Sequence, residues 1–245
     1  MKKLLIIFIL STTFLNASTI NIAVAANVSY AIDELIAEFN KTHKDTKVRV
    51  TLGSSGKLTA QIKHGAPYHL FMSANMKFPQ SLYEDKIAKN PPVIYALGTL
   101  AILSKEEKEM SKGIELLKND EIYKIAIANP KTAPYGTAAM QAFKSAGIYE
   151  KIKSKLIFAE SISQTVSFAI TAADVGLIAK SSLYSKTMLK YKQNINWVEV
   201  DAKLYTPIKQ GIVMIEDDKE TKAFYDFILS QSAKDIFKKY GYLLP

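Results

Sequence analysis

The amino-acid sequence predicts an α/β fold of two lobes with a cleft between them. Short strand-like segments alternate with helical segments in both halves of the 245-residue chain, which is typical of mostly parallel sheets flanked by helices. A break that contains Pro91, Pro92 and Gly98 separates the two sets of segments. The chain is long enough to bury a substantial core, and it has no cysteine, which excludes disulfides and thiolate metal sites.

The first 17 residues predict a secretory signal peptide. Lys2 and Lys3 precede an apolar run at residues 4–10, and Ala17 offers a small residue at the cleavage site. The apolar run is shorter than the roughly 20 residues that a membrane-spanning helix needs. We therefore expect cleavage after Ala17 and a mature protein outside the cytoplasm, with an uncut N-terminal anchor as the alternative.

The first half of the mature chain predicts strands and helices in alternation. The predicted strands are residues 20–25, 47–52 and 70–72. Apolar residues at helical spacing from Ala31 to Phe39 predict a helix after the first strand. A second helix follows the turn at residues 53–56. This order predicts a parallel sheet in the first lobe.

The second half repeats the alternation after the break. Two strand-like runs, residues 93–97 and 99–104, flank Gly98. The later predicted strands are residues 125–128, 156–159, 175–179, 197–200 and 212–215, and the helices between them are residues 136–146 and 164–173. The chain ends in a segment predicted as helical over residues 222–240, whose apolar face contains Phe224, Phe227, Ile228, Ile236 and Phe237.

The charge pattern and the missing motifs exclude several functional classes. The chain has 32 Lys and Arg against 23 Asp and Glu, a formal net charge of +9, but Arg49 is its single arginine. Nucleic-acid recognition relies on clustered basic residues and arginine forks, whereas these lysines are scattered, so we expect no nucleic-acid partner. Serine-hydrolase, phosphate-loop and zinc-protease signatures are missing, which predicts that the protein is not an enzyme.

Four strand-to-helix turns carry small polar residues where ligands collect in α/β proteins. The turns are residues 25–29, 53–56, 129–136 and 160–164. Ligands bind beyond the carboxyl ends of the strands, and the first turn of a helix presents unpaired N–H groups and positive dipole. Four such turns at one cleft would bind a small anion through hydroxyls and backbone amides. Taken singly, each turn is more often a plain helix N-cap.

Seven sequence blocks in a fixed order cover almost the whole mature chain. They are residues 25–31, 53–62, 65–67, 70–74, 129–136, 174–179 and 224–242. With this ordered set the sequence resembles the periplasmic molybdate-binding proteins of ABC importers, within the type II periplasmic-binding-protein family. The resemblance implies that lobe 1 comprises residues 18–97 and 205–245, that lobe 2 comprises residues 98–204, and that the lobes close on the ligand.

The resemblance also implies which residues bind the oxyanion. The main ligands would be Asn27, Ser55, Tyr135 and Ile162. Asn27 and Ser55 would donate through side chain and backbone, whereas Tyr135 and Ile162 would donate only through their backbone N–H groups. The secondary candidates are Ala26, Ser54 and Lys180. These residues would meet the metal only through the oxygens of the oxyanion.

One position departs from part of the family and leaves the coordination number open. Some members place a tyrosine hydroxyl where this chain has Ala179 and Lys180. Other members lack that tyrosine, as here. Lys180 could therefore bring a charge close to the site, with a solvent-facing lysine as the alternative.

The resemblance implies capture of molybdate, and also of tungstate, in the periplasm and delivery to the membrane permease of an ABC importer. It implies no cofactor, because molybdate or tungstate is the ligand, and a monomer is expected because a hinged receptor must open and close freely. Two alternatives remain open. The same fold could bind another oxyanion such as sulfate or phosphate, and an exported hydrolase could use Ser55 as a nucleophile in the same cleft.

Overall fold

The computed structural model describes residues 18–245, and the predicted signal peptide at residues 1–17 lies outside the described residues. The strands are β1 (Ser18–Ala25), β2 (Thr46–Gly53), β3 (Leu70–Ser73), β4 (Val93–Gly98), β5 (Leu100–Leu103), β6 (Ile125–Ala128), β7 (Leu156–Ala159), β8 (Val175–Ala179), β9 (Trp197–Glu199) and β10 (Ile208–Met214). The α-helices are α1 (Ile32–Phe39), α2 (Ser55–Lys63), α3 (Lys77–Glu84), α4 (Pro134–Ser145), α5 (Tyr149–Ile152), α6 (Ile162–Thr171), α7 (Lys219–Leu229) and α8 (Gln231–Lys239).

Each lobe is built on one five-stranded sheet. The strand order is β2-β1-β3-β10-β4 in the first sheet and β7-β6-β8-β5-β9 in the second. Four strands of each sheet share one direction, whereas β10 in the first sheet and β5 in the second run antiparallel to both neighbours. Two mixed, mostly parallel sheets flanked by helices confirm the predicted fold class.

The chain crosses between the two sheets twice. On the outward path β4 ends at Gly98 and β5 begins at Leu100, so that Thr99 alone separates the sheets. The return path leads from the end of β9 at Glu199 to the start of β10. The two paths lie side by side, because the N–H of Leu100 donates to the Tyr205 hydroxyl at 3.1 Å. Both crossings between the two sheets therefore lie at one place in the molecule.

Helices pack on both faces of each sheet. In the first sheet, Ile22 and Val24 of β1 pack with α1, α7 and α8, whereas Ala23 between them faces α2 and α3. In the second sheet, β5 faces α4 on one side and α6 on the other. Burying one large apolar side chain contributes about 1.5–3 kcal/mol, so these layers fix each lobe. No helix within residues 18–245 has the length and apolar character needed to cross a membrane.

The C-terminal segment is helical, as predicted over residues 222–240, but it is divided in two. It forms α7 and α8, which are separated at Ser230. Ser230 has an extended backbone with ψ of 164° and its hydroxyl accepts a hydrogen bond from the N–H of Ala233 at 3.4 Å. Ser230 therefore ends one helix and caps the next, which lets both helices pack on the first sheet.

Candidate functional site

A small cavity lies between the lobes, where parallel strands of both sheets end. Its walls come from the ends of β1, β2 and β3 in the first lobe and from the segments that follow β6 and β7 in the second. The lining residues are Ala25, Ala26, Asn27, Gly53, Ser54, Ser55, Ala74, Ala133, Pro134, Tyr135 and Ile162. None of these eleven carries a charged side chain. The cavity leaves only about 10 Å³ in which the centre of a water molecule can lie. The two lobes are therefore closed against each other.

The structure brings most of the sequence-predicted site residues to this cavity. Six of the seven line it: Asn27, Ser55, Tyr135, Ile162, Ala26 and Ser54. Lys180 does not, because its Nζ pairs with the Glu199 carboxylate of β9 at 2.6 Å. The cavity therefore has no lysine in its wall. No group of three or more His, Asp or Glu side chains among residues 18–245 is placed to bind a metal ion.

Ser55 is held so that its hydroxyl hydrogen remains available. It is the first residue of α2 and is 1% exposed. Its Oγ accepts a hydrogen bond from the N–H of Ala74 at 2.9 Å. A hydroxyl has one hydrogen to donate as well as its acceptor sites, so Ser55 can still donate to a group in the cavity.

Ser54 presents a second hydroxyl that has no partner. It occupies the N-cap position of α2, yet its side chain makes no capping hydrogen bond. Its Oγ is buried, and no hydrogen-bond partner for it exists within residues 18–245. Leaving a buried polar group unpaired costs about 1–3 kcal/mol, and an acceptor in the cavity would remove that cost.

Two helices of the second lobe point their N-terminal N–H groups at the cavity. In α4 the first residue is Pro134, which has no N–H, so the first donor of that helix is Tyr135. In α6 the first residue is Ile162, and the Ser161 side chain caps the N–H of Gln164 instead. The N–H groups of Tyr135 and Ile162 have no acceptor within their own helices. Both therefore offer unpaired donors at a positive dipole end.

The Asn27 side chain is held in place by hydrogen bonds to two other residues, Gln210 and Tyr242. It lies in the 3-10 helix Ala26–Tyr30 and is 0% exposed. Its Nδ2 donates to Gln210 Oε1 at 2.7 Å and to the Tyr242 hydroxyl at 3.0 Å. The Tyr242 hydroxyl in turn donates to the backbone carbonyl of Asn27 at 2.8 Å. Asn27 is therefore the most constrained side chain of the cavity wall.

Gln210, Tyr242 and Tyr95 support the site but were not predicted from the sequence. Tyr95 donates to Gln210 Oε1 at 2.9 Å. Gln210 lies in β10, which begins at Ile208 rather than at the predicted residue 212. The available signal was a glutamine two residues before the apolar run at residues 212–215. Burial raises the pKa of Tyr95 and of Tyr242 above the usual tyrosine value, so both hydroxyls keep their hydrogens.

Polar contacts between the lobes surround the cavity and hold it shut. The N–H of Gly56 in α2 donates to the Thr132 carbonyl at 2.8 Å. The Ser163 hydroxyl of α6 donates to the Ala26 carbonyl at 2.8 Å. At the outer rim the Lys57 ammonium pairs with the carboxylate of Glu160. Both rim side chains are more than half exposed, so this pair contributes at most about 1 kcal/mol.

Two α/β lobes that enclose an uncharged cavity lined with donors are typical of a solute-binding protein. The chain belongs to the family described as bacterial extracellular solute-binding protein, whose model matches residues 20–243. Individual proteins similar to this chain indicate a narrower group within that family. The molybdate-binding protein ModA of Rhodobacter capsulatus is 36% identical over 226 residues, which cover 90% of this chain and 86% of that protein.

Two further comparisons concern Azotobacter vinelandii. Its molybdate-binding protein ModA is 33% identical over 233 residues, which cover 92% of this chain and 90% of that protein. The solved structure of the Azotobacter vinelandii periplasmic molybdate-binding protein has a TM-score of 0.84 and 29% identity, and the match covers 92% of this chain and 99% of that one. These findings confirm that the chain is a member of the molybdate-binding protein family, a family of solute-binding proteins and not of enzymes.

Proposed function

We propose that the chain captures molybdate in the periplasm and delivers it to the membrane permease of an ABC importer. The observation that carries the proposal is the uncharged cavity that both lobes line, where predicted ligands meet. The relatives at 33% and 36% identity are molybdate-binding proteins. Lobe 1 is proposed to comprise residues 18–97 and 205–245, and lobe 2 residues 98–204. The membership of the two sheets supports this division, apart from Gly98, which ends β4 of the first sheet.

The chemistry of the wall suits a tetrahedral dianion. Such an ion can be buried only if nearly all of its oxygens are hydrogen-bonded. The available donors are the hydroxyls of Ser54 and Ser55 and the N–H groups at the starts of α2, α4 and α6. The positive ends of three helix dipoles supply the electrostatic attraction without a counter-charge in contact.

Selection among oxyanions is proposed to rest on cavity size. Molybdate, tungstate and sulfate carry the same charge and four oxygens, so the wall can separate them only by distance. Tungstate is expected to bind together with molybdate. Phosphate can carry a proton and needs an acceptor for it, whereas none of the lining residues carries a carboxylate. The ligand is the cargo and no cofactor takes part.

The test of the proposal is calorimetric titration of the mature protein with molybdate, tungstate, sulfate and phosphate. Tight one-to-one binding of the first two, with no heat from sulfate, is the expected result. Tight binding of sulfate or phosphate instead would keep the receptor class and replace the ligand. Absence of heat from every oxyanion would overturn the proposed function. Sedimentation of the same samples tests the proposed monomer.

The Ser55→Ala variant is expected to bind molybdate more weakly by roughly 1–3 kcal/mol, because one oxygen of the buried anion and the Ala74 N–H both lose a partner. The matched control is Ser104→Ala, since Ser104 is also fully buried and its hydroxyl has no partner within the described residues, but it does not line the cavity. Calorimetry measures both variants. Equal affinities of Ser55→Ala and Ser104→Ala would remove Ser55 from the site.

A further inference from the structure

The contact between the amides of Asn27 and Gln210 leaves one polar atom of each without a partner. Both residues are 0% exposed. Their single mutual hydrogen bond joins Asn27 Nδ2 to Gln210 Oε1 at 2.7 Å. The other ends of the two amides, Asn27 Oδ1 and Gln210 Nε2, have no hydrogen-bond partner within residues 18–245. Two buried unpaired atoms at one contact destabilise this arrangement.

In this arrangement Asn27 suits an anion poorly. Its side-chain donor is used on Gln210 and Tyr242, so that the free atom of this cavity-lining side chain is the carbonyl oxygen, an acceptor. An oxyanion offers only acceptors to Asn27. The amide nitrogen would have to take the place of the amide oxygen for Asn27 to donate to the anion. A half-turn of the amide exchanges the two atoms with almost no change in shape.

Reversal of both amides preserves their mutual hydrogen bond and gives the Asn27 NH₂ group the position of its unpaired oxygen. Gln210 Nε2 then donates to Asn27 Oδ1 across the same contact. The Tyr95 hydroxyl accepts from Nε2 and keeps the carbonyl of Ser73, 3.4 Å away, as its acceptor. The Tyr242 hydroxyl turns to Asn27 Oδ1. The Asn27 backbone carbonyl keeps a donor, because the Ser181 hydroxyl lies 3.2 Å from it.

The reversed Gln210 carbonyl would also face the second lobe. A Cβ at Gly98 would overlap the Tyr135 hydroxyl and would lie 2.9 Å from Gln210 Nε2. Both polar groups therefore lie against the same glycine at the outward crossing. Burial raises the pKa of Tyr135 well above the usual value, so its hydroxyl keeps its hydrogen. Gln210 thus lies between a ligand of the first lobe and a ligand of the second.

We propose that Gln210 is a positioning residue: in the anion-bound protein both amides are reversed, and Gln210 holds the Asn27 amide with its NH₂ group toward the oxyanion. The inference rests on the proposed function and deepens it, because it names what sets the donor of the first lobe. Gln210 itself does not contact the anion. Its effect on affinity passes through Asn27.

The first test is a double-mutant cycle in molybdate calorimetry. Gln210→Met is expected to lower the affinity roughly 10- to 100-fold, the loss of one hydrogen bond to a charged group. In an Asn27→Ala background the same change is expected to alter affinity less than about threefold, because the positioned side chain is gone. Lys209→Met, on the exposed side of the same strand, is expected to bind like the wild type. Equal losses in both backgrounds, or an unchanged affinity of Gln210→Met, would overturn the inference.

The second test needs no change at Gln210 and covers the case in which that variant fails to fold. In protein labelled with ¹⁵N-asparagine, the side-chain NH₂ signal of Asn27 is identified by its loss in Asn27→Ala. Molybdate is expected to shift it strongly downfield, as hydrogen bonds to an anion do. A signal that molybdate does not move would overturn the inference while calorimetric binding by the wild type keeps the proposed function. If the wild type binds no oxyanion, both fail together.

Discussion

The Ile162→Pro variant is expected to lose one backbone donor to the oxyanion while α6 stays folded. Ile162 is the first residue of that helix, where proline is favoured because the N–H has no helical acceptor. The preceding Ser161 is extended, with φ of −141° and ψ of 166°, which is the conformation that proline imposes on its neighbour. The substitution therefore removes the N–H with little strain in the backbone.

The matched control for this change is Ile162→Ala, which loses side-chain packing but keeps the N–H. Relative to it, Ile162→Pro is expected to bind molybdate more weakly by roughly 1.5–3 kcal/mol, the range for a hydrogen bond to a charged group. Calorimetry gives the affinities, and thermal unfolding of the ligand-free proteins shows whether both variants fold. Equal affinities of the two variants would mean that the Ile162 N–H makes no contact with the anion.

The Gly136→Ala variant is expected to lose both stability and affinity. Gly136 is the third residue of α4, and a Cβ there would overlap the carbonyl oxygen of Ala128 and lie 2.7 Å from its carbonyl carbon. Backbone atoms cannot rotate away as a side chain can, so the start of α4 must move and carry the Tyr135 N–H with it. Overpacking of this kind costs about 1–3 kcal/mol or more, measurable by denaturant unfolding of the ligand-free protein.

The Gly56→Ala variant is expected to impair closure of the two lobes while the protein still folds. A Cβ there would lie 3.0 Å from the Thr132 carbonyl oxygen of the opposite lobe and 3.0 Å from the end of the Phe78 ring. The contact with Thr132 exists only when the lobes are closed, and alanine favours the helix by up to about 1 kcal/mol over glycine. Gly56→Ala should therefore weaken molybdate binding without lowering ligand-free stability. A lower ligand-free stability of Gly56→Ala, or an unchanged ligand-free stability of Gly136→Ala, would contradict these roles of the two glycines.

Elements whose ends are determined by a local pattern could be predicted from the sequence. The strands at residues 125–128, 156–159 and 175–179 have the predicted ends, because each is a short apolar run bounded by polar or turn residues. The position of the division at Ser230 was not predicted, because the apolar spacing runs through it unchanged. Its hydroxyl can serve as an N-cap only after the chain turns there.

The turns that line the cavity were predictable, and the groups behind them were not. Strand-to-helix turns follow from topology, so Ser55 and Ile162 could be placed at the ends of strands. Gln210 and Tyr242 are 183 and 215 residues from Asn27, and no local pattern connects them. Lys180 was considered as a charge near the site because some family members have a tyrosine at this point of the chain, and no local pattern indicates that β9 brings Glu199 to it. Direct contact of each lining residue with an oxyanion stays a prediction.

The composition of the cavity wall has a consequence for unloading. Among the eleven lining residues only Tyr135 has an ionisable side chain, and burial raises the pKa of that hydroxyl far above neutrality. A change in pH across the physiological range therefore changes the charge of no side chain in the wall. For the doubly charged cargo proposed above, protonation of the wall therefore cannot weaken binding. Release would require separation of the lobes, which lets water replace the donors.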